Sequence, residues 1–276
     1  MNLSHTFVWR KLREHKILAH HKRVADTCTE LIASFRRKKP SYPLIAKMEL
    51  QTERIIWQYW AQGYDDVPAV VRRCLESVEK WAPDYLIIRL SDQNLHEYID
   101  IPDFVAAKRK YFSFAHFSDL LRLMLLTVYG GIWMDATILL SGPLPEEYIQ
   151  RDFFVFRRDP TEPHISYWRN TYAYYFGWAK GFRVNMLNSF IVARKASQPI
   201  SDLCSLMLLW WEEHNSMPDY FFFQILCDVY GFPADMPLVS DTRPHYLQQF
   251  MNDSRFTLLS EAEILRSISI HKLTYK

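Results

Sequence analysis

Glycine is scarce in this chain of 276 residues. Only seven occur, so the adjacent pair Gly130-Gly131 marks a backbone conformation that other residues resist. No apolar run reaches membrane length: the longest stretch without a formal charge, between Arg122 and Asp135, holds twelve residues. A bilayer span needs roughly 20. Cys28, Cys74, Cys204 and Cys227 stand far apart, which fits neither a zinc site nor a disulfide framework and predicts reduced, partly buried thiols. The N-terminus lacks the apolar segment and small-residue cleavage site of a secretory signal, so the expected location is cytoplasmic. Internal repeats, low-complexity tracts and flexible linkers are also missing.

What is present fits one large domain. About half of the residues are apolar, enough to bury a substantial core. Sixteen Tyr, eighteen Phe and nine Trp predict a dense core with surfaces left for stacking or sugar contact. Charge is unevenly spread. Residues 1–40 hold ten Lys/Arg against three acids, leaving 23 basic and 28 acidic residues for the rest. A basic arm at 1–45 thus precedes a mildly acidic body at 46–276, and that acidic body argues against a nucleic-acid partner. From Ser4 to about Phe35 apolar residues recur at helical steps among the bases, and Pro40 ends the pattern. Residues 4–39 therefore read either as an amphipathic helix drawn to an anionic membrane surface or as a helical arm packed on the body.

Along the body, Arg54–Trp60 reads as a first strand, Pro68–Trp81 as a helix, Tyr85–Leu90 as a second strand, and Ser91–Ile99 as a short capped helix. Ser113–Leu140 adds a nearly all-apolar helix, the glycine joint and another strand. Such alternation predicts an α/β fold whose mixed, mostly parallel sheet is flanked by helices. Beyond Leu140 the pattern predicts strands near 153–156 and 189–193 and helices near 200–214 and 220–230. The aromatic segment Tyr167–Trp178 reads as either a loop flap or a core hairpin.

Four polar side chains interrupt the apolar unit. His116, Asp119 and Arg122 are spaced three apart and so share one helix face. Asp135 lies within Ile-Trp-Met-Asp-Ala-Thr-Ile-Leu-Leu, where a carboxylate is costly to bury without a cation, and Thr137 follows two residues on. Ligands collect at the carboxyl ends of parallel strands, which makes this unit the candidate site. Asp219, after Pro218, reads as a helix cap or as a base for an acceptor hydroxyl.

The stretch AHFSDLLRLMLLTVYGGIWMDAT resembles the core motif of sugar transferases with a GT-A fold, A-x-x-S-D-x-x-R, an apolar run, then G-G-x-[YW]-x-D-x-[DT]. With IIWQYWAQG at 55–63, Trp81–Tyr85 and the terminal HKLTYK, residues 54–276 are most similar to bacterial capsular polysaccharide synthesis proteins. The resemblance implies a Rossmann-type GT-A fold and a nucleotide-sugar donor, such as a UDP-sugar. Asp119 and Arg122 would contact its ribose and sugar, Trp57 at the end of the first strand would face the base, and Trp133 would line the pocket. Asp135 corresponds to the first aspartate of a DXD motif, with Thr137 in place of the second. Mn²⁺ or Mg²⁺ would be held by Asp135, Thr137 and His271. Asn188, Lys272 and Lys276 would stand by the sugar and diphosphate. The implied activity moves a sugar onto a glycan or lipid-linked glycan at the inner face of the cell membrane; the alternative is a non-catalytic subunit that organises a polysaccharide assembly complex.

Overall fold

The computed structural model describes residues 3–275. The chain opens with one long helix, α1 (Leu3–Lys38), followed by β1 (Ile55–Tyr59), α2 (Ala69–Trp81), β2 (Leu86–Leu90) and the short α3 (Asp103–Lys108). Next come α4 (Phe114–Tyr129), β3 (Gly131–Met134), β4 (Ile138–Leu140), α5 (Glu146–Ile149), β5 (Phe153–Arg157) and α6 (Ile165–Trp168). The chain closes with β6 (Met186–Ala193), α7 (Gln198–Glu213), α8 (Phe222–Tyr230), α9 (Tyr246–Asn252), α10 (Glu261–Ser267) and β7 (Ile270–Lys272). The main sheet has the order β2-β1-β3-β6-β5; β2, β1 and β3 are parallel, and β6 runs against both β3 and β5. Four strands therefore share one direction, as the alternating pattern predicts. No helix among the described residues is long and apolar enough to cross a membrane.

The unit α4–β3 is built as its sequence implies. Ser113 caps α4 by accepting the His116 backbone N–H, and the helix then buries Leu120, Leu121, Leu123, Met124, Leu125 and Leu126. Each such side chain contributes roughly 1.5–3 kcal/mol of apolar burial. Gly130 and Gly131 both take positive φ, 73° and 98°. A Cβ at Gly130 would lie 2.5 Å from the Lys195 nitrogen, and one at Gly131 2.6 Å from the Ile55 oxygen, so only glycine lets β3 enter the sheet beside β1 here.

The strand expected to run from the glycines to Leu140 breaks at Asp135. There the Asp135 N–H bonds the Ser189 carbonyl, and the Ile138 N–H turns back to the Asp135 carbonyl at 2.9 Å. The chain leaves the sheet, and β4 pairs antiparallel with β7 from the far end of the sequence. The Leu140 N–H donates to Ser77 Oγ, fixing this ribbon on α2.

Helix α1 packs on the body. Its second half buries Ile17, His21, Val24, Cys28, Leu31 and Ile32, and His21 Nδ1 accepts the Arg183 N–H at 3.1 Å. Its first half exposes Val8, Trp9 and Leu12. The aromatic segment after α6 is a loop rather than a hairpin. Arg158 holds it, donating to the carbonyls of Tyr175 and Gly177 at 2.8 Å while paired with Asp241. All four cysteines are free and buried.

Candidate active site

Asp119, Arg122 and Asp135 meet where β3 ends. One turn of α4 separates Asp119 from Arg122, and Arg122 Nη2 lies 3.2 Å from Asp119 Oδ1 and 3.7 Å from Asp135 Oδ1. The guanidinium is fixed from behind: Nε donates to the Ser118 carbonyl, Nη2 to Ser118 Oγ and Nη1 to the Asn188 carbonyl. Asn188 Nδ2 in turn donates to Asp119 Oδ1 at 2.8 Å. Asp119 is buried, and burial pushes its carboxyl up to about 6 although Arg122 and Asn188 pull the other way. Trp133 is also fully buried. Its indole N–H donates to Asp135 Oδ1 at 2.8 Å, and its ring lies 5.0 Å from the Arg122 guanidinium carbon. It therefore orients both charged groups rather than offering an open pocket wall.

From the other side comes Lys272. The pairing of Ile138 with Lys272 sets its ammonium on Thr137 Oγ1, to which it donates, and 3.6 Å from Asp135 Oδ2. Burial pulls the Lys272 pKa down, and the Asp135 charge opposes that shift. The Asp135 side chain, 26% exposed, is the one carboxylate of the trio open to solvent. It thus faces outward between two cations.

Three expected participants stand elsewhere. Trp57 is fully buried in mid-strand, donates its indole N–H to the Gly130 carbonyl at 2.9 Å, and packs against Tyr98 and Tyr129. It is a core residue. Just past the carboxyl end of β1 stands Trp60, which packs near Ala136 and lies 5.2 Å from the ring of Tyr275. The turn at Gln62-Gly63 is the sequence signal that could have located it, because the last aromatic before that turn stands at the strand's carboxyl end. His271 neighbours Lys272 on a strand, where successive side chains point to opposite faces. It is fully buried, its Nε2 shares a 2.8 Å hydrogen bond with Ser141 Oγ, and burial pulls it down to about 4. Asp219 has both oxygens engaged, one by the Phe221 N–H and the other by His20 Nε2 at 2.7 Å. It is a turn cap tied to α1. The neighbouring Tyr220, which sequence reasoning passed over, is exposed and sets its ring 6.1 Å from that of His116 on α4, and its phenol is raised by burial first and then by the Asp119 and Asp135 charges. Lys276 lies outside the described residues.

The residues expected to hold Mn²⁺ or Mg²⁺ do not assemble into a fitting set. Hard divalent ions want several oxygens, preferably carboxylates. Here one carboxylate and one hydroxyl face the site, the hydroxyl is taken by an ammonium, and His271 points away. Among the described residues no three His, Cys, Asp or Glu side chains form a metal-holding group. A divalent ion about 4 Å from the Lys272 ammonium would meet repulsion on the order of 8 kcal/mol at an effective dielectric of about 20. The cluster is better suited to an anion than to a second cation.

A cavity of about 500 Å³, lined by Arg54, Gly131, Arg151 and Lys195 among others, opens at the amino end of β3. That is the wrong end of the sheet for this chemistry.

A mixed α/β sheet with Arg122 and Lys272 gathered at a parallel strand's carboxyl end belongs to the class of α/β proteins that take ligands at that edge. The model of the capsular polysaccharide synthesis protein family matches residues 8–276, and the chain belongs to that family. The match includes α1 from residue 8, although the motif resemblance covered only 54–276. The O-glycosyltransferase braB of Annulohypoxylon truncatum is 26% identical over 172 residues, or 58% of this chain; the chain spans only 38% of that protein's length. Among solved structures, the PaToxG glycosyltransferase aligns over 78% of this chain and 79% of its own at 16% identity, with a TM-score of 0.37.

Proposed function

We propose that this chain is a glycosyltransferase that moves a sugar from a nucleotide-sugar donor to a glycan acceptor in capsular polysaccharide synthesis. The observation that carries the reading is the part-exposed pair of Lys272 and Asp135, backed by the buried Arg122, at the carboxyl end of β3 in a member of this family. Breaking the bond between sugar and diphosphate builds negative charge on the leaving group and positive charge on the sugar. Arg122 and Lys272 answer the first, Asp135 and Asp119 the second. Asn188 holds Asp119, and Trp133 holds Asp135. The half-buried Trp60 with the exposed Tyr275 takes the part of stacking on the base that the resemblance gave to Trp57.

The acceptor in this reading is lipid-linked at the inner membrane face. The first half of α1 supports it by exposing Val8, Trp9 and Leu12 on the segment that carries Arg10, Lys11, Arg13 and Lys16. Basic residues near an anionic surface contribute about 1 kcal/mol each.

The test is transfer from a panel of nucleotide sugars to a lipid-linked glycan, comparing wild type with Asp135→Asn. A loss of about 10²–10³-fold in turnover is expected, the size typical of removing one preorganised group that stabilises transition-state charge. Unchanged turnover sinks the assignment of Asp135. Donor binding with no turnover on any acceptor leaves the non-catalytic subunit standing.

A further inference from the structure

Asp135-Ala136-Thr137 lacks the second carboxylate of a metal-holding DXD motif, and the structure shows what stands in its place. The hydroxyl of Thr137 accepts from the Lys272 ammonium, and the near oxygen of Asp135 is 3.6 Å from the same nitrogen. A hydroxyl is a weak ligand for a hard cation but a good acceptor for an N–H donor. Thr137 and Lys272 therefore form a matched pair, a neutral acceptor with an N–H donor. The position is also fixed by backbone: Leu273 N–H bonds the Thr137 carbonyl at 2.9 Å, and β4–β7 register sets Lys272 opposite Ile138. The lysine side chain is 20% exposed and Asp135 26%, so the pair is not sealed from solvent. One of its three hydrogens goes to Thr137 and a second faces Asp135, which leaves the third for an incoming anion.

We propose that the Lys272 ammonium occupies the charge position filled by a divalent ion in DXD transferases, so that this chain binds a donor's diphosphate without metal. The proposal rests on the nucleotide-donor reading above and assigns the source of charge within it. In the transfer step the bond between the sugar's anomeric carbon and the diphosphate oxygen breaks, and its electron pair stays on that oxygen. The acceptor hydroxyl oxygen forms the new bond to the carbon, and its proton is released to solvent. Lys272 and Arg122 together face the charge gathered on the leaving diphosphate, one as a compact point charge and the other as a planar fork.

Isothermal titration of the full chain with UDP, GDP and TDP, in EDTA and in excess Mn²⁺, tests this directly. At least one diphosphate should bind with affinities that agree within about twofold in the two buffers. Lys272→Met should weaken that binding by at least about tenfold in EDTA, whereas Lys272→Arg, which keeps a cation, should stay within about threefold of wild type. Binding that appears only with Mn²⁺ overturns the proposal while leaving the donor reading intact, and this comparison needs no variant to fold. Lys272→Met binding as tightly as wild type also overturns it. If none of the three diphosphates binds in either buffer, the nucleotide-donor reading fails and this proposal with it.

Discussion

Among the described residues, the charge clusters around Arg158 and around Asp135 are built differently. Around Arg158 every contact is closed: Nε and Nη2 reach the two oxygens of Asp241 at 2.9 Å, Nη1 and Nη2 reach backbone carbonyls at 2.8 Å, and Tyr175, Phe176, Trp178 and Phe182 pack about the guanidinium. Asp241 is fully buried, and the ring of His245 bonds its carbonyl. Around Asp135 the ionic contacts stretch to 3.6 and 3.7 Å, and part of the carboxylate faces solvent. Good geometry and complete pairing let a buried ion pair persist as structure. Loose geometry with donors to spare leaves charge available to a ligand. The first cluster pins the aromatic loop; the second is the candidate site.

The largest expected effect comes from breaking the closed cluster. Asp241→Ala leaves Arg158 buried without its partner and should cost about 3–5 kcal/mol in denaturant unfolding. A loss below about 1 kcal/mol would mean that the pair does not hold the loop.

Acid should act on the two clusters with opposite sign. His245 is held neutral by burial, down to about 4, and His21 likewise, so between pH 6.5 and 4 their unfolded forms take up protons that the folded forms refuse. Stability from these groups is present above pH 6.5 and is lost as the pH falls. Asp119 is raised to about 6, so below that pH the folded state holds a proton that the unfolded chain has not yet bound, and its contribution rises toward acid. With His271, also held down to about 4, three histidines outweigh one aspartate, and thermal melts should show stability falling by about 2–3 kcal/mol per pH unit between pH 6 and 4. Asp119→Asn removes the opposing contribution and should steepen that fall. An equal slope in wild type and variant contradicts the raised carboxyl.

The smallest stability effect belongs to the open cluster. Asp135→Asn should change unfolding free energy by less than about 1 kcal/mol, because long, part-exposed ionic contacts contribute little. A larger loss would make Asp135 a structural residue and blur the contrast.

Sequence reading succeeded where the physics is local. Asp119 and Arg122 are one helical turn apart, Ser113 and the two glycines punctuate the helix, and the next strand delivers Asp135 from only four residues beyond Gly131. Trp57 lies within one short strand and Trp60 just past its end, and their roles turned on where that strand ends. His271 and Lys272 were harder still. Each is a plausible site residue, and a one-residue slip of β7 against β4 would exchange their faces. That register is set between residues more than 130 positions apart, so no local pattern encodes it. The docking of α1 is of the same kind: its basic residues suggested an arm, but the burial of Val24, Cys28 and Leu31 depends on a groove made by α7 and α8.

By itself the sequence determined an α/β domain with a helix, a glycine joint and a strand that bring an arginine and two aspartates to one edge. Helical periodicity and glycine's conformational freedom act over a few residues, so the order of residues is enough to specify them. Only the tertiary structure decided which cation faces Asp135. That choice follows from β4 leaving the sheet to pair with the far end of the chain, which turns Lys272 toward the site and buries His271 behind it.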